Sequence, residues 1–134
     1  MTVSGQVTAI VSNADVVLAR SAVRTLAQEC WLSLVDQTKL VTAASELARN
    51  TLIYGGGGTM RVDLVDNGLR RGVRAVFEDH GPGIPDLDLA LTDGWSSGTG
   101  LGLGLSGSRR LVDDFAVDST VGRGTTVTIT KWAR

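Results

Sequence analysis

The chain has 134 residues, 43% of them hydrophobic and 20% charged, with a formal net charge of −1. That length suits one independently folding domain, and the near-neutral balance excludes a broad basic field for nucleic acid or anionic lipid. A single cysteine, Cys30, excludes an intrachain disulfide or a cysteine-based zinc site. No run reaches the ~18 apolar residues a membrane span needs, and Met1 to Ser12 lacks the pattern of a secretory leader, so a cytoplasmic protein is expected.

Val3, Val7, Ala9 and Val11 alternate as in a first strand, interrupted by Gly5. Ser12, Asn13 and Asp15 bring helix-start chemistry, and Val16, Ala19, Val23, Leu26 and Ala27 recur at helical spacing to about Cys30. Cys30 itself reads as a small buried hydrophobe. Asp36 is expected to cap a second helix with an apolar stripe of Leu40, Ala44, Leu47 and Ala48. That helix ends near Tyr54, because Gly55 to Gly58 cannot sustain it. Thr59 to Asp66 and Val73 to Asp79 read as strands around an Asn67-Gly68 turn extended by Leu69 to Gly72. The stretch from Gly81 to Gly104 is loop-like, with a short helix near Asp86 to Leu91; a loop of that length in a small domain is usually a lid or binding loop. A helix over Ser106 to Asp114 and strands over Phe115 to Thr120 and Thr125 to Trp132 complete the chain. The order β-α-α-β-β-loop-α-β-β predicts an α+β fold, an open sheet with its helices on one face, and a single domain over residues 1–134.

Four segments carry candidate chemistry. In the second helix, Glu46 and Asn50 stand one turn apart and should share a face opposite the Leu40-Ala44-Leu47 stripe; a Glu46–Arg49 surface pair is the plainer reading. Asp79-His80-Gly81-Pro82-Gly83-Ile84-Pro85 puts a carboxylate at a strand end beside backbone that must bend, either as a ligand contact or as a simple strand exit. Gly98-Thr99-Gly100-Leu101-Gly102-Leu103-Gly104 runs into a helix, and its successive N–H groups with the helix N-terminus suit a phosphate. Leucines between those glycines are wrong for a solvated linker. Gly122-Arg123-Gly124-Thr125-Thr126 alone is a hairpin turn. A Walker A loop is excluded because neither Lys39 nor Lys131 follows a glycine, and the alternating glycines lack the spacing of a dinucleotide fingerprint.

Taken in order, E-x-x-x-N, D-x-G-x-G, a G-x-G-x-G lid and G-x-G-T resemble the motifs of the GHKL ATPases, the superfamily of gyrase, Hsp90-type chaperones, histidine kinases and MutL. The narrower likeness, through Val35-Asp36-Gln37, Ser45-Glu46-Leu47-Ala48-Arg49-Asn50, Glu78 to Asp86, Arg109-Arg110-Leu111 and Lys131-Trp132-Ala133-Arg134, is to RsbT-type switch kinases and spans essentially the whole chain. The resemblance implies a two-layer α/β sandwich with a mixed sheet. It implies ATP and Mg²⁺ as cofactors, with Asn50 holding the metal and Asp79 accepting from the adenine amino group. Gly81, Gly83, Ile84 and Thr125 then complete the base site, and Gly98, Gly100, Leu101, Gly102, Leu103 and Gly104 wrap the phosphates.

It further implies that Glu46 orients and deprotonates a partner's hydroxyl while Arg49 steadies the transferred phosphoryl group. The partners implied are a STAS-domain antagonist, as substrate, and the regulator of a metal-dependent serine phosphatase. An anti-sigma factor or a non-catalytic phosphatase activator shares every nucleotide motif and adds a sigma factor as partner. His80 is expected to face solvent, and Trp95, in the lid, is either a partner contact or packed beneath the loop. The short lid, Asp93 to Gly104, points to quick nucleotide exchange.

Overall fold

Side chains along a strand alternate between two faces, so the position of the apolar ones decides where helices can lie. The computed structural model of the protein describes residues 6–91 and 104–134. Strands β1 (Gln6–Ile10), β2 (Gly58–Asp66), β3 (Arg71–Asp79), β4 (Asp114–Thr120) and β5 (Gly124–Trp132) form one sheet in the order β1-β2-β3-β5-β4. On its inner face, Met60, Phe77, Val127 and Val117 lie side by side across four strands, and Val62, Ala75, Ile129 and Phe115 form the next row. Helices α1 (Asn13–Glu29) and α2 (Leu34–Ile53) cover these rows, and Val16, Ala19, Val23, Leu26, Leu40, Ala44 and Leu47 join them in one core. A short α3 (Leu87–Ala90) follows β3, and α4 (Gly104–Leu111) packs on α2. Among the described residues, no helix is long and apolar enough to cross a membrane.

The expected helices and strands are all present, with three corrections. Every strand pairing is antiparallel, so the sheet is not mixed. The α1–α2 hairpin returns the chain to the end of the sheet where β1 stopped, which makes β2 run the opposite way. The single-helix crossover through α4 does set β4 parallel to β3, but β5 inserts between them and pairs antiparallel with both. Second, the cap of α2 is Ser33, whose Oγ accepts from the Asp36 N–H at 3.1 Å; Asp36 sits within the first turn. Third, the buried position of β1 lies outside the Val3-Val7-Ala9-Val11 alternation. Ile10 is fully buried opposite Gly58, while Val7 and Val11 are exposed. An edge strand tolerates outward valines, and the pattern through Val7, Ala9 and Val11 marked the outer side. Val3 lies outside the described residues.

Cys30 is buried where α1 ends, and loss of solvent pushes its thiol pKa up, against smaller opposing effects of a Leu32 backbone hydrogen bond and Arg71. It behaves as the small hydrophobe expected.

The inner face is apolar in its middle rows and polar at both ends. At one end, Lys131 follows Ile129 on the inner face and is only 5% exposed. Its Nζ lies 3.6 Å from carboxylate oxygens of both Asp36 and Asp113, and the Arg134 guanidinium bridges the same two carboxylates from outside. Asp113 Oδ2 also accepts from the Trp132 N–H at 2.8 Å. This network fastens the first turn of α2 to the last strand and to the corner after α4. Removing the buried cation leaves two poorly solvated carboxylates held together only by the half-exposed Arg134. Lys131→Met should therefore lower the unfolding free energy by about 3 kcal/mol, seen as a lower urea midpoint at unchanged slope; a midpoint equal to that of the unaltered chain would disprove the role.

Candidate functional site

At the opposite end of the inner face the row runs Ile10, Gly58, Asp79, Thr125, Ser119, one residue from each strand. Asp79 is the last residue of β3 and is partly buried. Its Oδ1 accepts the Gly81 N–H at 2.9 Å, which fixes the carboxylate and starts the bend into Pro82 and Gly83. Among the described residues Oδ2 has no hydrogen-bond partner. A carboxylate held by one oxygen and open at the other is an acceptor awaiting a donor.

The C-terminal end of α2 closes against this carboxylate. The Tyr54 and Gly55 N–H groups both donate to Asn50 O, at 2.9 and 3.0 Å, so the helix ends in a tight turn. A Cβ added at Gly55 would stand 2.6 Å from the Cβ of Asp79. Only a glycine permits so close an approach. Gly83 has a positive φ of 78° and turns the chain so that Pro82 O accepts the Gly122 N–H at 2.9 Å, tying the loop after β3 to the β4–β5 turn.

Between these elements lies a recess of about 580 Å³, counted with its open mouth. Leu47, Phe77, Ile84, Ala90, Leu105 and Val127 supply its apolar walls, and Asn50, Tyr54, Asp79 and Thr125 its polar groups. An apolar slot with a few placed polar groups suits a flat heterocycle carrying donors at its edge.

Of the residues expected to act together, Asn50, Asp79, Gly83, Ile84 and Thr125 all line this one recess. Gly81 contributes from behind, through its bond to Asp79 and its packing on Gly55. Glu46 does not line it. Asn50 and Glu46 were expected to share a face opposite Leu47, yet Asn50 joins Leu47 in the recess while Glu46 remains half-exposed. At about 100° per residue Asn50 lies about 60° around the helix from Leu47 and Glu46 about 100°, so Asn50 follows Leu47 inward. Glu46 Oε1 accepts from Arg49 Nη1 at 3.1 Å, and both side chains are largely solvated. Gly104 opens α4. Gly98, Gly100, Leu101, Gly102 and Leu103 lie outside the described residues, as does Trp95. His80 is exposed, as expected.

Residues 35–134 match the family described as histidine kinase-, DNA gyrase B-, and HSP90-like ATPase. The chain belongs to this ATPase family. It is 42% identical over 125 residues to the serine/threonine-protein kinase RsbT of Bacillus subtilis, covering 93% of this chain and 94% of that protein. It is thus in the RsbT-type branch. Among solved structures, the RsbU and RsbW domains of Rv1364c from Mycobacterium tuberculosis align with a TM-score of 0.68 at 21% identity, over 98% of this chain. This chain spans only 33% of that one. The mycobacterial sensor histidine kinase MprB aligns with a TM-score of 0.58 at 18% identity, covering 97% and 98% of the two chains. These two likenesses establish the fold as that of the ATPase family.

Several members of the recess escaped the motif reading. Tyr54, Phe77, Ala90, Leu105 and Val127 line it without having been singled out for a site, and Ser119, beside the recess in β4, was not singled out either. Only Gly55 left a signal, as the first of four glycines after α2, and that signal read equally as a helix stop. If the ATPase recess depends on the contact between α2 and Asp79, a single methyl will disturb it. Gly55→Ala should weaken adenine nucleotide binding by about tenfold, roughly 1.4 kcal/mol, with far-ultraviolet dichroism unchanged. Binding at full strength by calorimetry would show that the close approach is dispensable.

Proposed function

We propose that this chain is a Mg·ATP-dependent serine/threonine kinase of a partner-switching module. Its substrate is a hydroxyl group on a STAS-domain antagonist. When released from that partner, it binds and activates the regulator domain of a metal-dependent serine phosphatase. The observation that carries the reading is that Asn50 and Asp79, from separate elements, line one recess while Glu46 stands one turn away on the solvent side of the same helix.

In this reading the base enters the apolar slot, with its exocyclic amino group donating to Asp79 Oδ2. Thr125, directly opposite Asp79 in the β3–β5 register, completes the base contacts. The phosphates then lie toward Asn50 and the start of α4, whose N-terminal N–H groups favour negative charge. Among the described residues no group of three or more histidine, cysteine, aspartate or glutamate side chains forms a metal cage. One neutral amide is a poor site for a bare cation but fits a magnesium ion that arrives on nucleotide, which would neutralise the phosphates while keeping several waters.

Glu46 occupies a place that a small molecule in the recess does not need and a protein substrate does. Its carboxylate faces solvent, where a partner's serine or threonine can approach, and it can accept the hydroxyl proton as the oxygen attacks. Arg49, hydrogen-bonded to Glu46, orients that carboxylate and adds positive charge near the transferred group. Phosphoryl transfer asks chiefly for such positioning and charge balance.

Incubated with Mg·ATP and a cognate STAS protein, the chain should phosphorylate a serine or threonine of the partner. Glu46→Ala should reduce transfer at least ~100-fold while nucleotide still binds, and Asn50→Ala should reduce both. Full transfer by both variants would sink these roles. A sigma factor captured in place of a STAS protein would favour an anti-sigma module instead. Separately, ATP with magnesium should raise the melting temperature of the unaltered chain but not of Asp79→Asn.

A further inference from the structure

Ser119 lies in β4, at the end of the Asp79 row, and does not itself line the recess. Its hydroxyl nevertheless joins three elements around it. Ser119 Oγ accepts the Ile84 N–H at 2.8 Å, lies 2.9 Å from Thr125 Oγ1, and lies 3.3 Å from Gly124 O. A serine hydroxyl has one proton and two lone pairs. The Ile84 N–H uses one lone pair. Either hydroxyl can donate across the 2.9 Å contact, and the shorter distance favours Ser119 giving its proton to Thr125 Oγ1 over the longer 3.3 Å bond to Gly124 O.

That choice decides what Thr125 can do. If Ser119 donates, the Thr125 hydroxyl keeps its own proton available for the recess it lines. Beside it in register stands Asp79, whose Oδ2, without a partner among the described residues, can only accept when ionised. The end of the recess therefore offers an acceptor next to a donor. The adenine edge presents a donor, its amino group, next to an acceptor, its ring N1, and so matches both. Guanine presents a carbonyl next to a ring N–H, so both contacts are reversed.

We infer that Ser119 is a positioning residue that sets the polarity of Thr125 and thereby the preference of the site for adenine over guanine nucleotides. The inference rests on the nucleotide reading of the recess and deepens it. The Ile84 bond adds a second effect, since the same hydroxyl anchors the loop that carries one apolar wall of the slot.

Calorimetric titration of the full chain with Mg·ATP and with Mg·GTP tests this. In Ser119→Ala the ATP affinity should fall by about tenfold and the GTP affinity by less than about twofold, so that the ratio between them narrows. Ser119→Thr, which keeps the hydroxyl, should restore the ratio. In transfer assays Ser119→Ala should raise KM for ATP while kcat stays within about twofold. Thr125→Val should narrow the ratio to the same extent, and Ser119→Ala added to it should narrow it no further. Equal weakening of both nucleotides, or additive effects in the double variant, would reduce Ser119 to a fold element and overturn the proposal. Failure of the unaltered chain to bind ATP at all would instead overturn the nucleotide reading on which it rests.

Discussion

A carboxylate at the end of a strand can act on a ligand only if something holds it and nothing else satisfies it. Among the described residues Asp79 meets both conditions, held at Oδ1 by the Gly81 N–H and without a partner at Oδ2. Much of the surrounding backbone serves that arrangement. Gly55 lets the end of α2 reach the carboxylate, Gly83 turns the following loop back toward the β4–β5 turn, and Thr125 stands opposite it on β5. Move Asp79, and the recess loses its carboxylate acceptor, the packing of α2 against it and its alignment with Thr125.

The division of the inner sheet face into rows explains how a small domain supports both a core and a site. Apolar rows from Met60 to Val117 and from Val62 to Phe115 supply the cohesion. The polar rows are pushed to the two ends, where water reaches them. One polar end has its charges neutralised within the protein, by Lys131 between Asp36 and Asp113. The other leaves an acceptor open. A closed network favours a fixed structure, and an open one favours a ligand.

Helical spacing in α1 and α2, the glycines after Tyr54 and the Asn67-Gly68 turn made the element order legible, because each is a local signal. Pairings between distant segments were less accessible. The face of β1 depended on Ile10 meeting Gly58, and the absence of a parallel β3–β4 pairing depended on β5 entering between them. Ser33 took the cap of α2 because Asp36 is drawn to Lys131 and Arg134, residues nearly a hundred positions away. At the site, Asp79 and Asn50 were legible because their neighbours follow a motif. Ser119 was not, since a serine in an edge strand acquires meaning only from the Ile84 and Thr125 groups that the fold brings to it.

The helix that bears Asn50 is gripped at its far end. Asp36, in the first turn of α2, is bound by Lys131 and Arg134, and Asn50 follows about 21 Å further along the axis. Pinned here and closed against Asp79 at Gly55, the helix has little freedom to swing. A tilt of about 5° at the pinned end would carry Asn50 through roughly 2 Å, a displacement that matters to phosphoryl transfer. Lys131 and Arg134, on the side of the molecule away from the recess, therefore steady the helix that bears Asn50, and a disturbance of this ion network can reach the recess without touching it.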